Sequence, residues 1–144
     1  SSEATRQISH SLHSGVLKHF GLVTAVTELT DTLSDARTIN IERHLEVSRD
    51  ISSEKSLEVY RIIQELINNT LKHAKAKTIS IELTDAGDLL NLIFEDNGVG
   101  FVMKENNKGL GLNNLKTRVD RLGGRMTIES RLGKGTTTII DIPV

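Results

Sequence analysis

Glu65, Asn69, Lys72 and His73 follow one another at one-, three- and four-residue spacing in a single stretch of this chain. Three glycine-bearing turns come after them: Asp96-Asn97-Gly98-Val99-Gly100, Gly109-Leu110-Gly111-Leu112 and Gly133-Lys134-Gly135-Thr136. At about 100° per residue the four polar side chains share one face of a helix. A carboxylate, an amide able to hold a hard cation and two basic groups in that row suit an anionic ligand that carries a metal. Glycine, lacking a Cβ, lets backbone N–H groups close on such an anion. The chemistry implied is that of a nucleoside triphosphate site with a divalent cation.

Each feature taken singly is ordinary. Four polar residues at helical spacing can be a solvated face held by side-chain pairs. Asp-Asn-Gly and Gly-Lys-Gly are common turn sequences. The consecutive asparagines Asn68 and Asn69 are less ordinary. Mid-helix, their side chains compete for backbone hydrogen bonds, and a locally unfavourable choice without a capping role points to function. No glycine turn matches a P-loop or a strand–glycine–helix dinucleotide fingerprint, and the signature segments of a eukaryotic-type kinase are missing.

The elements that must carry these residues can be read from hydrophobic spacing. Residues 1–20 are weakly helical in pattern, and Leu22, Val26, Leu29 and Leu33 then make one apolar stripe of a helix ending near Ser34-Asp35. Ile39, Ile41, Leu45 and Val47 alternate as in a half-buried strand. Ser52 or Ser53 caps the next helix, with Glu54 in its first turn, and that helix runs to about Ala74. Val59, Ile62, Ile63, Leu66, Ile67 and Thr70 form its buried arc, so the polar row lies at the edge of that arc, where it can line a cleft between helix and sheet. Thr78–Leu83 and the segment of Leu90, Leu92 and Phe94 pair as a hairpin around Asp85-Ala86-Gly87-Asp88. Leu112, Leu115, Val119 and Leu122 make a helix closed by Gly123-Gly124. Met126 and Ile128, then Thr137 to Ile142, form strands joined at Gly133-Lys134-Gly135. The expected fold is a two-layer α/β sandwich, a mixed and mostly antiparallel sheet covered on one face by about three helices.

Length and composition agree with one domain able to bury a core: 144 residues, 37% hydrophobic and 26% charged. With 18 Lys+Arg against 19 Asp+Glu there is no electrostatic case for a nucleic-acid partner. The absence of cysteine excludes disulfides, thiolate metal sites and a cysteine nucleophile. No apolar run reaches the about 18 residues of a membrane span. A cytoplasmic domain is expected, and inner-membrane anchoring of a longer parent stays open.

The ordered set is more telling than its parts. Glu65-Leu66-Ile67-Asn68-Asn69-Thr70-Leu71-Lys72-His73-Ala74, then Asp96 to Phe101, then Gly109 to Leu115, then Gly133 to Thr136 resembles the N, G1, G2 and G3 boxes of the two-component sensor histidine kinases, whose catalytic domain has the Bergerat ATPase fold. Tyr60 to Glu65, Thr117 to Gly124 and the short lid between Gly100 and Gly109 resemble the subgroup whose output domains are often transcription regulators. The resemblance implies Mg²⁺ and ATP as ligands. It implies that Asp96 accepts from the adenine amine, that Gly98 and Gly100 admit the base, and that Asn69 ligates Mg²⁺. Lys72 and His73 would lie toward the phosphates. Gly109, Leu110 and Gly111, with the helix start at Leu112, would offer backbone N–H groups to them, Thr136 would close the adenine side, and Glu65 would orient or activate the nucleophile. It further implies residues 1–20 as the end of a dimerisation helix, residues 21–144 as the ATP-binding domain, and as partners the protein's own upstream phosphoacceptor domain, a second copy in a homodimer and a response regulator. His10 and His13 are each followed by serine rather than an acidic residue, so neither matches the subgroup's acceptor pattern. The alternatives are an anti-sigma-type serine kinase of the same superfamily and a nucleotide sensor without catalysis.

Overall fold

Two buried faces decide the architecture, one on a helix and one on a sheet. The computed structural model describes residues 21–36, 39–100 and 112–144. Within them the elements are α1 (Leu22–Asp35), β1 (Asn40–Glu46), α2 (Ser53–Asn69), a π-helical turn (Thr70–Ala74), β2 (Thr78–Ala86), β3 (Leu89–Asp96), α3 (Leu112–Arg121), β4 (Arg125–Arg131) and β5 (Gly135–Pro143). The strands form one five-stranded sheet in the order β1-β2-β3-β5-β4. β1 and β2 are parallel, and the other pairs are antiparallel. The parallel pair needs a crossover, and α2 supplies it.

Ser52 starts α2 by accepting the Lys55 N–H at 3.2 Å, with Glu54 in the first turn. The predicted arc is buried: Val59, Ile62 and Ile63 are fully enclosed, and Leu66, Ile67 and Thr70 nearly so. These side chains meet Ile79, Ile81 and Leu83 of β2, Leu90, Leu92 and Phe94 of β3, and Ile140 and Ile142 of β5 in one core. Val26 of α1 and Leu115 and Val119 of α3 complete it. The reverse face of the sheet carries Ser80, Glu82, Asn91, Glu95, Thr137 and Asp141, all exposed or half-buried, so period-two alternation accounts for both faces. The mixed sheet with three helices is the fold expected.

Two boundaries differ from the sequence reading. β2 continues to Ala86, leaving only Gly87-Asp88 as the turn. Asp85, expected in the turn, stays paired with Leu90, and its carboxylate accepts the Ser48 and Arg49 N–H groups, tying the exit of β1 to β2. Those two backbone donors, Arg49 first, hold its carboxyl below the usual range. The second difference is that the helix reaching Ala74 is not α-helical throughout. Its last turn widens to i→i+5 bonding, and Lys75, at φ 50°, stops it. Residues 1–20 and the lid glycines Gly109 and Gly111, with Leu110, lie outside the described residues.

Candidate nucleotide-binding site

Where α2 ends, the local sequence favours a break in regular helix. Asn68 and Asn69 weaken the α-helical pattern, and the Thr70 hydroxyl donates back to the Leu66 carbonyl at 3.0 Å. The π turn that follows rotates less per residue than an α-turn, a feature recurrent at functional sites. This has a consequence for the polar row. His73 stays in line with Asn69, and both face a crevice between α2, α3 and the sheet. Lys72 falls back to an exposed position outside that crevice.

The crevice holds about 550 Å³, its open mouth included. Its walls are Leu66, Asn69 and His73 from α2 and the π turn, Leu112 and Leu115 from α3, and Phe94, Asp96, Gly100, Thr136 and Thr138 from the sheet side. A mostly apolar cleft with a few convergent polar groups is the usual form of a small-molecule site. Of the residues singled out in the sequence, Asn69, His73, Asp96, Gly100, Leu112 and Thr136 meet here. Glu65 does not line the crevice. It lies one helical turn before Asn69, where its carboxylate pairs with Arg118 of α3 at 3.3 Å.

Asp96 ends β3 and faces Thr136 across the ladder. Burial pushes its carboxyl above the usual range, and N–H bonds from Gly98, at 2.9 Å, and from the Thr136 backbone oppose that shift without cancelling it. A half-buried carboxylate lining a cleft is a strong, directional acceptor. Thr136 is held in turn, its hydroxyl 2.8 Å from that of Ser130.

The glycines bring backbones together around this acceptor. Gly98 is pressed against the end of the helix, where an added Cβ would collide with the Ala74 carbonyl oxygen, and the next residue, Val99, donates to that same oxygen at 2.7 Å. Gly98 thereby fixes the loop to the helix and does not itself line the crevice. Gly135 has φ +93° and is backed against the Asp96 carbonyl. Asn97, a turn residue by sequence, clamps the start of β2 by accepting the Lys77 and Thr78 N–H groups, each at 2.9 Å. Sequence reading did not single out Phe94 or Thr138 as crevice residues, nor Ser130 as the support of Thr136 and Arg118 as the partner of Glu65. For Phe94 and Thr138 the alternation along β3 and β5 carried the signal, because both face the helices.

A magnesium ion with its nucleotide fits the donor set. Among the described residues no group of three or more histidine, cysteine or carboxylate side chains could hold a metal alone. Asn69, which lines the crevice, would give such a cation one oxygen ligand beside those from phosphates and water.

Comparison with known proteins places this arrangement. Residues 54–144 match the family of histidine kinase-, DNA gyrase B- and HSP90-like ATPases. Over 96% of its length the chain is 35% identical to the sensor histidine kinase ComP of Bacillus subtilis, covering 18% of that protein. It is 29% identical to the signal transduction histidine-protein kinase/phosphatase DegS of Brevibacillus brevis, covering 96% of this chain and 36% of DegS. The chain thus spans well under half of either relative. The histidine kinase domain of the Erythrobacter litoralis EL346 blue-light activated kinase has the same fold, with TM-score 0.67 and 21% identity over 85% of this chain and 60% of that one. The ordered motifs, the helix-covered mixed sheet and the family match agree: the chain belongs to the histidine kinase-, DNA gyrase B- and HSP90-like ATPase family, and the relatives it resembles within it are sensor histidine kinases.

Proposed function

We propose that this chain is the catalytic domain of a sensor histidine kinase, which binds Mg·ATP in the crevice and passes the γ-phosphoryl to a histidine of an upstream dimerisation domain. The observation that carries the reading is the convergence of Asn69, Asp96 and Thr136 on one crevice. Asp96 accepts from the exocyclic amine of adenine, and Thr136 closes the same side. His73 offers a donor toward the phosphates, and Lys72, on the next exposed position, adds positive charge at the rim. α3 begins at Leu112, which lines the crevice, and the backbone N–H groups of that first turn would serve the phosphates. Magnesium held by the Asn69 amide oxygen would neutralise the phosphate charge. Glu65 orients the attacking imidazole or accepts its proton.

The step breaks the bond between the γ-phosphorus and the β,γ-bridging oxygen and forms a phosphorus–nitrogen bond on the imidazole. It depends on positioning and charge neutralisation. The phosphoryl group would then pass to an aspartate of a response regulator, with the parent protein acting as a homodimer. The test supplies an acceptor dimerisation domain in trans with γ-labelled ATP and Mg²⁺. The expected result is an acid-labile, base-stable label on that domain and none on this chain. An acid-stable label points to a serine kinase, and a chain that binds nucleotide without transferring label is a sensor. Either outcome overturns the proposal.

A further inference from the structure

Glu65 does not stand alone. The Arg118 guanidinium, on α3, reaches it through Nε at 3.3 Å and reaches Glu58 through a terminal nitrogen at 3.5 Å. Glu58 is approached in turn by Arg61 at 3.5 Å. Glu58 and Glu65 lie two turns apart on α2, so a single guanidinium from α3 bridges both. A planar guanidinium presents its donors in a fixed fork, so it can hold a carboxylate in one orientation where an ammonium would hold it loosely.

Stability alone is a poor reason for this arrangement. The side chains of Arg118, Glu58 and Glu65 are 34%, 34% and 27% exposed, and pairs so open to solvent contribute little. The seat of α3 is secured instead by Leu115 and Val119, both fully buried. Arg118 sits one turn beyond Leu115, and Glu65 one turn before Asn69, so each is the helical neighbour of a residue that lines the crevice. We infer that Arg118 is a positioning residue for phosphoryl transfer: it fixes the Glu65 carboxylate in the orientation the transfer step uses, while Glu58 keeps the guanidinium in place. This rests on the kinase reading given above.

A double-mutant cycle in the trans-phosphorylation assay tests it, with nucleotide affinity measured alongside. Arg118→Ala is expected to slow transfer at saturating ATP by roughly tenfold or more, with the affinity for an ATP analogue changed less than about twofold. Arg118→Lys restores part of the rate, because the charge returns without the fork. Arg118→Ala in a Glu65→Gln background costs no further rate, because the residue through which it acts is already disabled. Losses that multiply in the double variant, or a weakened nucleotide affinity that accounts for the slower rate, overturn the inference. If Arg118→Ala does not fold, as judged by melting, Arg118→Gln takes its place in the cycle under the same criteria. Absence of transfer by the unmodified chain overturns the kinase reading and this inference together, whereas transfer with multiplying losses overturns only this one.

Discussion

Asp96 is the residue on which recognition and stability meet most directly. Its carboxyl is raised by burial, so the folded state binds the proton more readily than the unfolded chain does. A carboxyl raised on folding adds stability while it is protonated, and that contribution is lost as pH rises through its folded value. Ionised Asp96 at neutral pH is therefore a cost to the fold that the site carries for the sake of its acceptor. Asp96→Asn keeps an oxygen for the Gly98 N–H and removes that cost. The variant should melt no lower than the unmodified chain at pH 7, and the gap should shrink on acidification toward the carboxylate range. Parallel melting curves from pH 7 to pH 4 check this; a gap that widens with acid contradicts the assignment. Nucleotide affinity should move the opposite way, falling with acid in the unmodified chain as the acceptor is protonated.

At the scale of elements, the seam between β3 and β5 sets the position of Asp96. Gly135 and Gly133 both have positive φ, but they differ in surroundings. A Cβ at Gly135 meets the Asp96 carbonyl, whereas one at Gly133 meets nothing within 4 Å. Gly133→Ala should thus cost about 1 kcal/mol, the price of the backbone conformation alone. Gly135→Ala should cost at least about 2 kcal/mol and weaken nucleotide binding as well. Chemical denaturation of the two variants gives the comparison, and equal losses would refute the close approach.

Much of this was legible beforehand. The buried arc of α2, the alternation on β2 and β3 and the Gly123-Gly124 stop all follow from spacing and from residues with few conformational choices. The π turn was not, because Asn68 and Asn69 show that the helix is weakened without showing which wider turn replaces it. The π turn leaves Lys72 exposed and off the crevice wall that Asn69 and His73 share, which a face drawn at the α-helical angle does not show. Asp85 was misplaced for a related reason: its sequence suits a turn, whereas it pairs with Leu90 in the ladder and its carboxylate accepts N–H groups from Ser48 and Arg49, distant in sequence. The Arg118–Glu65 pair joins two helices through side chains whose spacing carries no signal.

In the whole molecule the cleft lies between a helix layer and a mixed sheet, and the loop that follows β3 is anchored to the helix end at Gly98 while Asp96 is paired with Thr136 of β5. A magnesium-bound adenine nucleotide should fit it, with Asn69 and Asp96 at its two chemically distinct ends. Calorimetric titration with a non-hydrolysable ATP analogue, with and without Mg²⁺, measures this directly. The unmodified chain should bind more tightly with the cation, Asn69→Ala should lose that dependence, and Asp96→Ala should bind about tenfold or more weakly and cease to prefer adenine over guanine. Unchanged affinity and cation dependence in both folded variants would contradict the placement of the nucleotide in this cleft.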